Sequence, residues 1–336
     1  MKILVTGVAG FIGYHVAKSL LQQGKDVVGI DNLNSYYSPE LKQARLNQLC
    51  PYKNFEFVKL NIDNITVLQA QFIKHKFEYV IHLAAQAGVR YSLDNPMAYI
   101  DANLVGFASI LECCRQHHIK HLVFASSSSV YGANVKQPFA ESDSANHPVS
   151  LYGATKKANE LMAHSYASLY NLPCTGLRFF TVYGPWGRPD MALFKFVHNI
   201  INDKSIDVYN YGKMKRDFTY IDDIVAGVLQ VLEIPAKSNS NWNQSPTPET
   251  SLSPYRIYNI GNGRPVNLLD YITAIEHALG KKATLNMLPL QPGDVVETFA
   301  DIDLLKNQFD YCPKTQISEG IEQFVAWYRE YFNLIS

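Results

Sequence analysis

Cysteine is scarce in this 336-residue chain. Its five cysteines (Cys50, Cys113, Cys114, Cys174, Cys312) make neither a C-x-x-C pair nor a paired framework. That excludes a disulfide-stapled scaffold and points to reduced, mostly buried thiols in a cytoplasmic protein. An excess of charge of either sign is also missing. Thirty basic residues balance thirty acidic ones, so no electrostatic case exists for a nucleic-acid or membrane partner. No apolar stretch approaches the ~20 residues needed to span a bilayer, and a strand begins at residue 3, leaving no room for a signal peptide. Among the ten histidines, His117, His118 and His121 flank a helix end and a strand start, where capping explains them better than metal binding. His82, at a strand end, reads as a packed core residue.

What is present is a glycine loop in a strand–loop–helix setting. Lys2 to Thr6 is a short, β-branched apolar run that reads as a buried parallel strand. Gly7-Val8-Ala9-Gly10-Phe11-Ile12-Gly13 follows at once, before an amphipathic segment from Tyr14 to Gln23. Small residues there let the backbone turn tightly and approach a pyrophosphate, whose charge sits at the helix N-terminus. The spacing is G-x-x-G-x-x-G, so the generic dinucleotide fingerprint is partly met. A second strand, Asp26 to Ile30, ends in Asp31-Asn32. An acid at that place accepts hydrogen bonds from ribose hydroxyls and repels a 2′-phosphate, and no arginine follows closely, so NAD is favoured over NADP. A tight turn with Asp31 as a mere cap is the blander alternative.

Tyr152 and Lys156 are four residues apart and share one face if the segment is helical. A phenol ionises near pH ~10, and a neighbouring ammonium favours the phenolate, so Lys156 is expected to bring Tyr152 down towards working pH as a general base. Two exposed residues on a helix face would leave the same signature.

With Ser126-Ser127-Ser128-Ser129-Val130-Tyr131-Gly132, Arg178 to Pro185 and Arg216 to Asp223, these segments make a familiar pattern. The chain resembles the extended short-chain dehydrogenase/reductase family, within it the sugar-nucleotide 4-epimerases, and nearest the UDP-glucuronate 4-epimerases. The resemblance spans most of the chain in the family's order. It implies that Ser127 shares the substrate hydroxyl's hydrogen bond with Tyr152, that Lys156 also holds the nicotinamide ribose, and that Asn103 supports the lysine from behind. Gly7, Gly10, Phe11, Ile12, Gly13, Asp31, Asn32, Ile62, Leu83, Ala84, Ala85 and Phe180 would complete the cofactor cleft. Asn61 departs from the aspartate that many relatives place near the adenine, but an amide can still meet the adenine amino group.

The same resemblance bears on the reaction. Dehydrating relatives carry Asp-Glu after the catalytic Thr, and the related decarboxylases usually have a glutamate in this region. Ser128 and Ser129 stand here instead, which suits hydrogen bonding to a sugar carboxylate and argues for oxidation and re-reduction at C4 without elimination. Thr181 stands where relatives with neutral sugars often have asparagine, and Arg188 is the candidate carboxylate clamp, with a loop arginine as the alternative. Arg90 is a weaker candidate that a structural ion pair explains equally well. Tyr209, Arg216 and Asp294 would meet the uracil, the diphosphate and the closing segment. Relatives acting on neutral sugars often have arginine at the Gln291 position. The expected partner is therefore a UDP-sugar, with UDP-glucuronate first. Another UDP-hexose, decarboxylation of UDP-glucuronate, and a cofactor-sensing role remain as rivals.

Length allows a full α/β core plus a smaller lobe. Alternating strands near Phe55–Leu60, Tyr79–Leu83, His121–Ser126 and Thr175–Phe180 predict a doubly wound parallel sheet over 1–180, the Rossmann arrangement, with an interleaved substrate lobe over 181–336. A return strand is expected near Arg256–Ile260, with helices from Leu268 and Ile317. Lys237 to Pro254, rich in Ser, Asn, Pro and Thr, reads as a mobile polar loop without chemistry. Apolar faces on helices near 103–117 and 152–170 imply, through the resemblance, a homodimer.

Overall fold

The computed structural model describes residues 1–291 and 295–334. Six strands follow one another as β1 Lys2–Thr6, β2 Asp26–Asp31, β3 Phe55–Lys59, β4 Tyr79–His82, β5 His121–Ser127 and β6 Cys174–Phe179. β7 (Thr181–Tyr183), β8 (Ile206–Val208) and β9 (Lys215–Tyr220) lie in the second half, with β10 (Tyr255–Ile260), β11 (Pro265–Asn267) and β12 (Leu285–Met287). The main sheet has seven strands in the order β10-β6-β5-β4-β1-β2-β3, every neighbouring pair parallel. This is the doubly wound Rossmann sheet the alternation predicted. β1, β4 and β5 are almost wholly buried because helices cover both faces.

The order reverses beside β1, whose neighbours are β2 on one side and β4 on the other. Such a reversal splays the loops apart and opens a crevice at the carboxyl ends of the strands. Opposite it stand a three-stranded sheet, β11-β9-β7, and the parallel pair β12-β8. One residue, Phe180, separates β6 in the main sheet from β7 in the second, and its N–H donates to the Ile260 carbonyl at 3.1 Å. The two lobes are thereby joined at the floor of the crevice, and β10 returns to the main sheet as expected.

Two local readings need correction, while the cysteines are mostly buried as expected. Pro96–Gln116 forms one continuous helical run of 21 residues, long and apolar enough to pass for a membrane span by length and composition. Half of it is buried in the fold, against the Leu151–Tyr170 helix among others, so its apolar character serves the core. The 237–254 loop is tied down by its own bonds: Asn239 N–H to the Ser251 carbonyl, Trp242 Nε1 to the Thr247 carbonyl, and Ile257 N–H to the Glu249 carbonyl. Three of the five free cysteines are buried, Cys50 and Cys312 being exposed.

Candidate active site

Gly7 follows β1 with φ 72°, and a Cβ there would stand 2.7 Å from the Ala84 nitrogen. Glycine is therefore required where the first loop crosses the end of β4. The Phe11–Gln22 helix starts immediately after, with no side-chain cap on its free N–H groups. Asp31, at the end of β2, accepts from the Ala9 N–H (3.1 Å) and the Leu33 N–H (2.9 Å). Two carboxylate lone-pair positions remain for hydroxyl donors. Asn32 donates to Asn61 at 2.7 Å, and both amides are exposed at the crevice rim.

The Leu151–Tyr170 helix starts at Ser150, whose Oγ accepts the Gly153 N–H at 3.0 Å. A Cβ at Gly153 would stand 2.6 Å from the Ser129 carbonyl oxygen, so glycine lets this helix close onto the serine turn after β5. Ser127 caps that turn, accepting the Ser129 N–H at 3.2 Å. The Lys156 Nζ donates to the Ala125 carbonyl at 2.8 Å, and burial lowers its pKa to about 8. Asn103 sits in a π-helical turn, Ile100–Val105, inside the long apolar helix. Its side chain bonds the Gln86 backbone in both directions and donates to the Thr155 hydroxyl, while its carbonyl accepts from Asn159. It supports Lys156 through the neighbouring turn of helix rather than by touching it.

One expectation about Tyr152 fails. Burial raises its phenol above the ordinary value, while a hydrogen bond with Ser127 and the charge of Arg188 act in the opposite direction. The depression expected from Lys156 is not delivered, because desolvation outweighs the groups that favour the phenolate, which are Ser127 and Arg188.

The expected catalytic and cofactor-binding residues, except Asn103, open into one cleft of about 590 Å³. Gly7, Gly10, Phe11, Ile12, Gly13, Asp31 and Asn32 line one end, with Asn61 and Ile62 beside them and Leu83, Ala84 and Ala85 along the wall. Ser127, Ser128, Ser129, Tyr152, Lys156, Phe180, Thr181 and Arg188 line the other. Bare backbone at a helix N-terminus, an acid at the end of β2 and a buried Tyr–Lys pair suit a dinucleotide with its nicotinamide inward.

The nucleotide-end residues are placed differently. Tyr209 lies under the Arg90 guanidinium, 4.6 Å from ring centre. Arg216 donates to the Lys215 and Val296 carbonyls, at 2.9 and 3.0 Å. Neither belongs to the described lining of the cleft, and Asp294 lies outside the described residues. Arg188 is no loose loop residue: it lines the cleft and its Nε and Nη2 both bond the Asp190 carboxylate.

Sequence reasoning missed Arg45, Asp190 and Tyr36 as site residues. Arg45 is fully buried and donates to the Ala9 carbonyl (2.8 Å) and, through Nη2, to the Trp186 carbonyl (2.7 Å), locking the loop before Arg188 onto the glycine loop. Its only sequence signal was an arginine in a helix with no clear apolar face. His82 is a core residue as expected, bonded to Thr6, whereas His121, read as a capping residue, is fully buried and bonded to Thr175. Among the described residues no cluster of His, Cys, Asp and Glu suits a metal.

Residues 3–261 match the model of the NAD dependent epimerase/dehydratase family. The chain belongs to that family. Among similar members, the protein CapI of Staphylococcus aureus is 56% identical over 333 residues, 99% of each chain. A probable UDP-glucuronate 4-epimerase of Rhizobium meliloti is 49% identical over 330 residues, 98% of this chain and 97% of that one. The fold resembles the crystal structure of a UDP-glucuronic acid 4-epimerase from Bacillus cereus in complex with UDP-glucuronic acid and NAD. That likeness has a TM-score of 0.87 at 33% identity and covers 98% of this chain and 100% of the other.

Proposed function

We propose that this protein is an NAD-dependent UDP-glucuronate 4-epimerase that forms UDP-galacturonate. One observation carries the reading: the glycine loop with Asp31, the Ser127–Tyr152–Lys156 group, the paired Ser128 and Ser129, and Arg188 share a single cleft. Several similar proteins and solved structures carry the name UDP-glucuronate 4-epimerase, which supports the reading.

Gly7, Gly10 and Gly13 hold the pyrophosphate, Asp31 the adenosine ribose and Lys156 the inner ribose. NAD, when bound, supplies a hydride acceptor that then serves as the donor for the return. Tyr152 takes the proton from the 4-hydroxyl, with Ser127 sharing the hydrogen bond, and later returns it to the 4-keto oxygen. The Ser127 hydrogen bond and the Arg188 charge both favour the phenolate, so the groups that meet the sugar also ready the base. The 4-keto sugar turns over in the pocket between the two transfers. It is a β-keto acid, and Ser128, Ser129, Thr181 and Arg188 hold its carboxylate still so that carbon dioxide is retained. Tyr209 and Arg216 meet the UDP half, at the uracil and the diphosphate.

The chain is further read as a cytoplasmic homodimer. Met97, Val105, Leu161 and Leu169 leave large apolar surface on the two neighbouring helices, 96–116 and 151–170. The free cysteines suit a reducing compartment.

The test is to incubate the purified protein with UDP-glucuronate, without added NAD, and follow the anomeric sugar signals by proton NMR. UDP-galacturonate is expected. No change even with NAD supplied would remove glucuronate as substrate, and a pentose product would make the enzyme a decarboxylase.

A further inference from the structure

Two side chains that the mechanism above does not use, Tyr36 and Asp190, bond in series to Arg188 on the loop after β7. Tyr36, from the segment after β2, donates its hydroxyl to Asp190 Oδ2 at 3.0 Å. Asp190 in turn accepts from Arg188 Nε at 2.9 Å through Oδ1 and from Nη2 through Oδ2. Tyr36 is itself fixed: its ring lies 4.7 Å from that of Tyr91, and a Cβ on Gly88 would stand 2.5 Å from its hydroxyl oxygen. Arg188 and Asp190 keep side-chain exposures of only 22% and 24%, so the pair is mostly shielded from bulk water.

A guanidinium offers two hydrogen-bonding forks, one made by Nε and Nη2 and one by Nη1 and Nη2. Asp190 takes the first. Among the described residues no acceptor meets Nη1, and Arg188 lines the same cleft as Ser128, Ser129 and Tyr152. An unsupported arginine has several rotatable bonds and a planar head that can turn freely; one held along the Nε edge has a single direction left for its outer fork. We infer that Asp190, backed by Tyr36, is a positioning residue that fixes Arg188 for end-on, two-pronged recognition of the sugar carboxylate.

The inference rests on the function proposed above, where a held carboxylate does more than bind. In the 4-keto sugar the C5–C6 bond breaks if it aligns with the C4 carbonyl. Its electron pair then passes into an enolate, carbon dioxide leaves, and C5 takes up a proton to give a 4-keto pentose, which becomes a pentose when the hydride is returned to C4. A fixed Arg188 holds the carboxylate away from that alignment. Asp190 therefore sets the ratio of epimer to pentose as well as affinity, which a merely structural residue would not.

The experiment compares the unmutated protein with Asp190→Asn and Tyr36→Phe. The first substitution keeps one acceptor oxygen, but the new amide nitrogen cannot accept from the second guanidinium nitrogen. For Asp190→Asn, the KM for UDP-glucuronate should rise roughly tenfold or more, as expected for loss of a charged hydrogen bond. Pentose should appear beside UDP-galacturonate in the NMR spectrum, and the affinity for UDP, which has no carboxylate, should not move. Tyr36→Phe should change the same quantities in the same direction by less, and it covers the case in which Asp190→Asn fails to fold. Unchanged KM and product ratio in both variants, tighter UDP-glucuronate binding, or an equal loss of UDP affinity would overturn the inference. If the unmutated protein makes no UDP-galacturonate, the function itself falls, and this inference with it.

Discussion

The cleft around Tyr152 and the surface of β9 around Arg216 hold their polar groups in different ways. At the first, Lys156 is 2% exposed and its ammonium is already bonded to the Ala125 carbonyl. Beneath it, Glu160 accepts from Ser126 (2.7 Å) and from Arg178 Nε (2.8 Å) and Nη2 (2.9 Å), all buried. Burial pushes the Glu160 carboxyl up, but the Arg178 charge and hydrogen bonds outweigh it and hold it at about 2. Arg178 also lies 4.8 Å from the ring centre of Tyr131. At the second, Arg216 spends donors on backbone carbonyls at the surface of β9, and Tyr209 packs under Arg90. The groups around Tyr152 are buried and joined by side-chain bonds, whereas the bonds described for Arg216 run to backbone carbonyls. Proton and hydride transfer tolerate little misplacement, and binding a flexible diphosphate tolerates more.

The sharpest way to break this comparison is at the base. Tyr152→Phe should lower kcat by roughly 10²- to 10⁴-fold, the usual worth of a positioned acid–base group, while NAD stays with the purified protein. Steady-state turnover and cofactor absorbance measure both, and near-normal turnover would remove Tyr152 from its role. Glu160→Gln tests the foundation: it leaves Arg178 charged, buried and short of its partner, so stability should fall by about 3–5 kcal/mol. A urea midpoint close to that of the unmutated protein would show the pair to be dispensable.

Lys156→Met should separate function from stability. The folded lysine titrates near 8 instead of 10.5, so the folded state disfavours its charge. Below about pH 8 both folded and unfolded chains carry the proton, and the cost is full, roughly 3 kcal/mol from the shift. Between about 8 and 10.5 the unfolded chain binds the proton and the folded one does not, so this group's contribution improves with rising pH. The inactive variant should therefore be more stable than the unmutated protein at pH 7, by at most that amount, with the gap closing across that window. Denaturation at pH 7 and pH 10 measures it, and a gap that widens would contradict the assigned burial. The smallest effect belongs to the nucleotide end. Arg216→Ala should raise the KM for UDP-glucuronate several-fold, about 1 kcal/mol, with kcat and retained NAD unchanged. An unaltered KM would mean that Arg216 stays on its backbone carbonyls during catalysis.

Legibility in the sequence followed range. The strand–glycine loop–helix unit, Asp31 at the end of β2 and the Ser127–Tyr152–Lys156 set were all readable, and all lie together in the cleft. The apolar helix was misjudged because a π turn joins two helical segments that composition alone reads separately. The 237–254 loop was misjudged because its composition shows polarity but not the hydrogen bonds its own backbone makes. Asn103 was found, yet its contact with Thr155 instead of Lys156 depends on how two helices cross.

By itself the sequence determined what backbone periods fix: a buried parallel strand feeding a glycine turn, and a phenol and an ammonium on one helix face. Those relations act over a few residues, where the 3.6-residue turn and the two-residue pleat leave little choice. Tertiary structure alone decided that burial raises the Tyr152 phenol, that Arg45 clamps two loops, and that Tyr36 reaches Asp190 across 154 residues of chain to orient Arg188. Desolvation and long-range hydrogen bonds belong to the packed whole, because they depend on which distant segments exclude water from the same place.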